Sequence, residues 1–581
     1  MSSAVLPEPS RVDRDACDAG DVAASRDRPV AGIWRRPRTP QTAAVVVALW
    51  IALAGNVALW RALVAAVSGL RGVLVVAAVG ALLGSTLSAL LALVSWSRHL
   101  RWLWLAVAAL AACAQHAMLG YGVVVDAGMI GNAVQTDAHE LGDLLTPLLG
   151  VNLLLLVGPP ALWLARVPFI RAGAGRAAWR SACVLAGALG ATAAVAVASF
   201  GLLAPLVREN MHLRFLPNPG APIAAMVRVA RKALAPSDTG PSIRQGAALG
   251  PRHAAGGKPP LLLLVVGETA RADRFQQNGY ARRTTPETAA LDGAFHFADV
   301  RSCGTSTLES LPCMFSPGGR AAKGRRPRGA ESLLDVVDAA GLAVLWVDNQ
   351  SGCKGVCDGV PFASTADLAG TPAGKALCDA EECVDEALLV GLDARIAALP
   401  EAKRRNGVLV VLHQMGSHGP LYARRSPPAF KRFLPECETP ELSRCTAEQV
   451  GNAYDNTIAY TDHVLAAAVR WLGTRADRED VSMLYVSDHG ESLGEMGIWL
   501  HGMPSAIAPS VQTRVPMWLW LGAGERRRVD AACLRSTLAE SRSHDNLYHS
   551  VLGLLDVASP TYRPALDLTA PCRGAARATA G

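Results

Sequence analysis

The chain has 581 residues, 51% of them hydrophobic, and a mean hydropathy of +0.23. That length allows two or three domains, and the apolar residues crowd the first 205 positions, which excludes an ordinary soluble enzyme. The formal net charge of +7 is modest and comes partly from arginines flanking apolar runs, so it is not the footprint of a nucleic-acid-binding protein.

Residues 1–40 are rich in Asp, Arg, Ser and Pro and read as a disordered cytoplasmic tail. Residues 41–204 then hold five segments of the length needed to cross a bilayer, about 20 apolar residues. They are roughly Ala43–Leu63, Gly72–Ser95, Leu103–Val123, Leu148–Ala165 and Ser181–Leu203. The fourth contains Pro159 and Pro160, which blurs its ends. A cleaved signal peptide is not expected, because the first run starts too deep and four more follow it. Arg35, Arg36 and Arg38 precede the first span, Arg98 and Arg101 separate the second and third, and Arg166, Arg171, Arg176 and Arg180 separate the fourth and fifth. Between the third and fourth the loop is acidic, with Asp126, Asp137, Glu140 and Asp143. The excess of arginine marks the cytoplasmic side. An N-terminus inside and an odd number of spans place everything after about Leu203 outside, which for a bacterial inner-membrane protein is the periplasm.

Residues 205–258 form a bridging region. Its stretch "PIAAMVRVARKAL" has apolar and basic faces at helical spacing, which suits a helix on the membrane surface or a plain linker helix. "GPSIRQGAALGPRHAAGGKPP" reads as a flexible connector. Over residues 259–576 the pattern changes to short apolar runs that end in polar clusters. "LLLLVV" runs into Gly267, Glu268 and Thr269, "LAVLWV" into Asp348 and Asn349, "GVLVVL" into His413, and "VSMLYV" into Ser487, Asp488 and His489. Such runs, alternating with helical segments, describe parallel strands buried on both faces. The expected fold is a five-helix transmembrane domain followed by an α/β domain with its site at the carboxyl ends of the strands. Glu268, His418, Asp488 and His489 should meet there.

Of 13 cysteines, Cys17 falls in the tail and Cys113 and Cys183 in spans. The other ten follow position 300, and eight form close pairs: Cys303 with Cys313, Cys353 with Cys357, Cys378 with Cys383, and Cys437 with Cys445. Cys533 and Cys572 remain as a possible fifth. The varied spacings in an exported half favour disulfides over zinc ribbons.

Glu268, Asp488 and His489 are oxygen and nitrogen donors that suit Zn²⁺ or a similar divalent ion. His501 follows His489 by twelve residues in a Gly-rich loop. In "SCGTSTLESLPC" the segment from Leu308 onward reads as a short helix, whose N-terminus favours an anion. A metal could activate a hydroxyl placed there. Local chemistry does not separate Thr305, Ser306 and Thr307, any of which is also a good N-cap.

The motifs "VVGETARADRFQQNGY", "SCGTSTLESLPCMFS", "DNQSGCKGVCDGV", "HQMGSHGP", "SDHGESLGEMGIWLHG" and "SHDNLYHSVLGLLDV" together resemble the membrane phosphoethanolamine transferases. These alkaline-phosphatase/sulfatase-like enzymes modify lipid A and include the mobile colistin-resistance enzymes. "VDAGMIGNAVQTDAHEL" carries the resemblance into the membrane half. The resemblance implies Thr307 as nucleophile and Glu268, Thr307, Asp488 and His489 as zinc ligands. It implies that His418 and His501 hold the substrate phosphate or a second zinc, that Lys354 lies near the head group, and that Asn132, Thr136 and Glu140 contact lipid. Gln350 stands where relatives usually have Asn, and Met496 and Trp499 replace the commoner Asn and Tyr. The implied reaction uses one or two zinc ions, phosphatidylethanolamine as donor and lipid A as acceptor, in a monomer with no nucleic-acid partner, and confers polymyxin resistance. Rival readings are transfer to core oligosaccharide or another periplasmic glycan, a phosphoglycerol transferase, and a membrane sensor or scaffold with a decayed sulfatase-like domain. A soluble-substrate sulfatase would need a C/S-x-P-x-R context that this loop lacks.

Overall fold

A computed structural model describes residues 37–135, 142, 144–170, 172–234, 242–322, 330–368, 370–379 and 382–574. The expected N-terminal tail therefore lies almost wholly outside the described residues, as do Thr136 and Glu140.

The apolar runs form helices α1 (Pro40–Ala54), α2 (Val57–Ala66), α3 (Gly69–Ala92), α4 (Arg101–Gly120), α6 (Pro147–Arg166) and α7 (Ala174–Glu209), with the short α5 (Ala127–Gln135) on the acidic loop. Among the described residues four helices are long and apolar enough to cross a membrane, and α1 with α2 makes a fifth only as one span bent by 51°. The first expected span is thus broken at Gly55–Asn56. Backbone groups freed by a break need partners inside the protein when no water is at hand. Gln115 Oε1 accepts from Val57 N at 2.8 Å, Asn56 Oδ1 accepts from Asn218 N at 2.7 Å, and Asn56 Nδ2 donates to Asn218 O at 3.0 Å. Pro159 and Pro160 lie inside α6 rather than ending it. Ala43, Ala44 and Ala48 of α1 and Ala108, Ala111 and Ala112 of α4 share one buried cluster, where small side chains let helices approach closely.

The amphipathic stretch is helix α8 (Gly220–Leu234), packed against α5. The expected flexible connector is corrected in its described part, which is docked on the C-terminal half. Ala248–Leu249 pairs antiparallel with Val557–Ala558. Ile243 N donates to Glu331 Oε2 at 2.7 Å, and the Arg252 guanidinium sits between Asp480 at 2.9 Å and Glu525 at 2.6 Å. The reason is charge: Arg252 and Glu525 are both almost buried, and a buried charge persists only when paired.

The C-terminal half is built on a seven-stranded sheet of β1 (Pro260–Gly267), β2 (Ala294–Phe297), β3 (Ala343–Asp348), β4 (Phe362–Ser364), β5 (Val408–His413), β6 (Asp480–Ser487) and β7 (Met517–Leu521). Their spatial order is β2-β7-β6-β1-β5-β3-β4, and β7 runs antiparallel to both its neighbours. The four strands expected from the apolar runs are the parallel centre. Alternation along β1 supplies both layers: Leu262, Leu264 and Val266 pack toward α11 (Asp545–Leu555), and Leu261, Leu263 and Val265 toward α10 (Ala447–Gly473). Each fully buried leucine contributes about 1.5–3 kcal/mol, which anchors the strand ends that carry the site.

The expected cysteine pairs are all bonded in this half. Cys353 is joined to Cys357 in the turn after β3, Cys378 to Cys383 beyond β4, and Cys437 to Cys445 just before α10. Cys533 and Cys572 form a fifth bridge, and Cys113 and Cys183 are free. Four of the five bridges span ten residues or fewer, so they fix the shape of individual loops, whereas Cys533 and Cys572, 39 positions apart, tie down the end of the domain.

The two halves touch through the segment after β6. Trp499 N donates to Tyr121 O at 2.8 Å, and Ile498, Leu500 and Met503 join the cluster of Met118, Val123 and Leu213. Helix α9 (Thr307–Met314) meets α5 closely: a Cβ at Gly131 would come within 2.9 Å of Leu308 Cδ2.

Candidate active site

Register decides which residues meet. Val266 pairs with His413 and Gly267 with Ser487, so β1, β5 and β6 end at one level and Glu268 and Asp488 follow side by side. Glu268, Asp488 and His489 are all fully buried. His489 Nε2 lies 3.2 Å from Glu268 Oε1 and 3.3 Å from Asp488 Oδ2. Its Nδ1 is 2.9 Å from the Gly490 carbonyl, an acceptor, so the ring hydrogen belongs there and Nε2 turns toward two carboxylates. Asp488 Oδ2 has no hydrogen-bond partner although buried.

Without a metal the two acids instead draw a second proton onto the ring. Burial pushes the Asp488 carboxyl up and the Glu268 charge adds to it, to about 6. Burial disfavours a charged His489, yet Asp488 and Glu268 push it up to about 10. Glu268, despite burial, is held well below the usual carboxylate range by His489. Two buried acids, one of them with an unpartnered oxygen, facing an imidazole nitrogen fit a divalent cation.

Thr307 is the first residue of α9, after Ser306 in extended backbone. Its hydroxyl donates to Glu268 Oε2 at 3.0 Å and lies 3.4 Å from His489 Nε2. The Thr305 hydroxyl is instead committed to Met503 O at 2.7 Å, so the tertiary structure separates hydroxyls that local sequence did not. The disulfide between Cys303 and Cys313 closes this loop around α9. His544 braces it from below, accepting from Cys303 N at 3.0 Å through Nδ1 and donating to Ser487 O at 2.9 Å through Nε2. The bridge between Cys353 and Cys357 closes the turn that carries Lys354, and Cys357 N donates to Cys353 Sγ at 3.2 Å. Cys383 offers its carbonyl to Asn349 Nδ2 at 3.0 Å, which links the bridge from Cys378 to the end of β3.

His418 and His501 form a second donor set with Glu268, as compact as that of Glu268, Asp488 and His489: the ligand atoms of each lie within 4.8 Å of one another. Burial pushes the His418 ring down to about 3, so it is neutral. Gln350 Nε2 donates to Glu268 Oε2 at 3.2 Å, so the departure from Asn sits against the carboxylate itself. A cavity of about 50 Å³ above Thr307 is lined by Gln350, Lys354, His418 and His501, and from the membrane half by Asn132 and Gln135. Thr269 and Lys354 hold φ of 53° and 51°, a left-handed backbone that costs about 1–3 kcal/mol in a non-glycine residue.

Three buried acids of the site were not assigned a role from the sequence. Glu491 approaches His501 Nδ1 at 3.3 Å. Asp348 Oδ1 meets His413 Nδ1 at 2.8 Å, while its Oδ2 accepts from the backbone of Gln350 and Gly352. Asp385 accepts from Met415 N and Gly416 N and fastens the turn that leads to His418. Glu491 lies three residues beyond Asp488 in a quoted motif, which was the available signal. Asp348 ends a strand that the apolar runs revealed, and Asp385 has no motif of its own.

A family model described as Sulfatase matches residues 260–557, and one described as Phosphoethanolamine transferase EptA/EptB matches residues 83–234. Phosphoethanolamine transferase EptA of Salmonella typhimurium is 37% identical over 93% of this chain and 98% of its own length. Phosphatidylethanolamine transferase Mcr-1 of Escherichia coli is 39% identical over 76% of this chain and 80% of its own. The solved integral membrane protein lipooligosaccharide phosphoethanolamine transferase A from Neisseria meningitidis superposes with a TM-score of 0.85 at 31% identity, over 93% of this chain and all of that one (100%). With helices of membrane length joined to a sulfatase-like domain, and with relatives of this identity along nearly its whole length, the chain belongs to the EptA family of membrane phosphoethanolamine transferases.

Proposed function

We propose that the chain transfers phosphoethanolamine from phosphatidylethanolamine to a phosphate of lipid A through a phosphoethanolamine ester on Thr307, with zinc held by Glu268, Thr307, Asp488 and His489. The relatives' printed names supply the transferred group and, for Mcr-1, the donor lipid. The observation that carries the reading is the Thr307 hydroxyl, 3.0 Å from Glu268 at the rim of three buried metal-type donors. When bound, zinc supplies a Lewis acid that polarises phosphoryl oxygens and favours an ionised hydroxyl.

In the first step Thr307 Oγ1 attacks phosphorus, the bond from phosphorus to the diacylglycerol oxygen breaks, and that oxygen takes a proton as it leaves. In the second, an acceptor phosphate oxygen attacks the same phosphorus, the bond to Thr307 breaks and the hydroxyl is restored. The Thr307 proton points at Glu268 Oε2 from the start. The Lys354 ammonium, held on Ser351 at 2.7 Å and 2.9 Å, offsets negative charge on the phosphoryl group. Acting as a monomer in the inner membrane, with the N-terminus cytoplasmic and the catalytic half periplasmic, the chain would reach two lipid substrates. The added amine lowers the negative charge of the acceptor and with it the attraction for cationic polymyxins.

Mass spectrometry of lipid A from Gram-negative cells expressing the wild type or Thr307→Ala tests this. A gain of one phosphoethanolamine unit with the wild type alone supports donor group, acceptor and nucleophile together. Unmodified lipid A alongside diacylglycerol release by the purified protein would move the acceptor to another glycan. Neither, with zinc bound, would sink the transferase mechanism.

A further inference from the structure

A larger cavity, about 610 Å³, adjoins the one over Thr307 and shares Gln135, Leu308 and Lys354 with it. Its size suits a substantial ligand group. One wall is α9, which carries Thr307 at its start, and the opposite wall is α8. From α8 Arg228 and Lys232, four residues apart and so on one face, line the cavity. Among the described residues the acids lining it are Glu309 and Asp358, and Asp126 lies close enough to Arg228 and Glu309 to feel both charges. Glu309 lies back against Gly304, where an added Cβ would come within 2.5 Å of its Oε2.

The two-step transfer brings donor and acceptor in turn to Thr307. The donor has no anion apart from the phosphate being cleaved, and its ammonium group is repelled by two cations. A molecule with an acceptor phosphate at Thr307 and a second phosphate has room to extend into the adjoining cavity that Arg228 and Lys232 line. We propose that the α8–α9 cavity is an acceptor subsite in which Arg228 and Lys232 hold a second phosphate, so that the enzyme selects a glycolipid bearing at least two. This rests on the two-step reading of the site.

Full-length, zinc-loaded protein in detergent micelles, with phosphatidylethanolamine as donor and lipid A carrying either one or two phosphates as acceptor, tests it. The wild type should show a KM about tenfold lower for the doubly phosphorylated acceptor, the scale of one charge-assisted contact. Arg228→Ala with Lys232→Ala should raise that KM about tenfold and erase the preference, while diacylglycerol release from phosphatidylethanolamine alone changes less than about twofold. Arg228→Lys should recover part of the loss. Arg231→Ala removes a charge from the same helix outside the cavity and should leave the preference intact. Equal KM values for the two acceptors in the wild type would overturn the subsite. So would an equal effect of Arg231→Ala, which would make α8 a general basic surface. Slower diacylglycerol release in the double variant would make it a donor site instead. Absence of that release in the wild type would overturn the transfer mechanism itself.

Discussion

Thr307 Oγ1 and Glu268 Oε2 lie 3.0 Å apart, so the first residue of α9 donates a hydrogen bond to the residue that follows β1. In the proposed transfer, Thr307→Ala removes the atom that attacks phosphorus. Diacylglycerol release should fall by at least about 10³-fold, and intact-protein mass spectrometry should lose the phosphoethanolamine adduct, while Thr307→Ser keeps part of both. An adduct that persists in the alanine variant would place the nucleophile elsewhere.

Chelation should lower both activity and melting temperature, and zinc should restore them. Asp488→Asn separates the two effects. In the metal-free protein it relieves repulsion from Glu268 and gives an unpartnered oxygen's place to a neutral amide, so at pH 8, above the value of about 6 to which Asp488 is pushed, the stripped variant should be about 1–2 kcal/mol more stable than the stripped wild type. Its zinc affinity should fall at least about tenfold. Calorimetric titration together with melts in chelator decides this, and a stripped variant less stable than the wild type would contradict the stored repulsion.

Glu491 is expected to act as a positioning residue: its Oε2 accepts from His501 Nδ1 at 3.4 Å, which would fix which ring nitrogen carries the hydrogen. Glu491→Gln should cost about 10–100-fold in kcat/KM and shift the pH–rate profile, with zinc content at Glu268, Asp488 and His489 unchanged. Loss of folding without a profile shift would assign it a structural role only.

The Asp348–His413 pair predicts a pH window for stability. Both groups are buried; against that burial Asp348 raises His413 above its ordinary 6.5, and His413 lowers Asp348 below 3.8. The raised histidine stabilises fully below about pH 6.5 and loses its contribution as pH climbs through its folded value. The depressed carboxylate stabilises above about pH 3.8 and loses its contribution as pH falls through its folded value. The pair therefore contributes most between about pH 4 and 6.5. His413→Gln should cost about 3–5 kcal/mol there, with the gap narrowing as pH rises above about 6.5 in denaturant melts. A gap that stays level as pH rises from about 5 into the alkaline range would mean His413 is neutral throughout.

Arg252→Ala removes the ion-pair partner of Glu525, whose side chain is only 3% exposed, and leaves it the more distant Arg528 charge, so it should cost about 1–3 kcal/mol and open residues 242–258 to protease. Rapid cleavage within residues 242–258 in the wild type as well as the variant would restore the flexible connector that the sequence suggested, and equal protection of both would leave the docking to the strand pairing and Glu331.

What the sequence determined by itself is what short-range pattern encodes. Apolar runs of membrane length, short strands ending in polar clusters, and cysteines paired as closely as Cys353 with Cys357 are all local, because burial and backbone period are written in consecutive residues. They were enough to bring Glu268, Asp488 and His489 to one edge, and the motif resemblance singled out Thr307. The β7 strand "MWLWL" went unread because it runs antiparallel and puts no polar cluster at that edge. Only tertiary structure decided which hydroxyl faces the acids: Met503, 198 positions away, occupies Thr305, and Glu268, 39 positions away, receives Thr307. It also decided the break at Asn56, the docking of the connector through Arg252, and the placing of α8 across a cavity from α9. The first three depend on two polar groups sharing a site that neither specifies alone. A hydrogen bond is made between partners in space, whatever their separation along the chain.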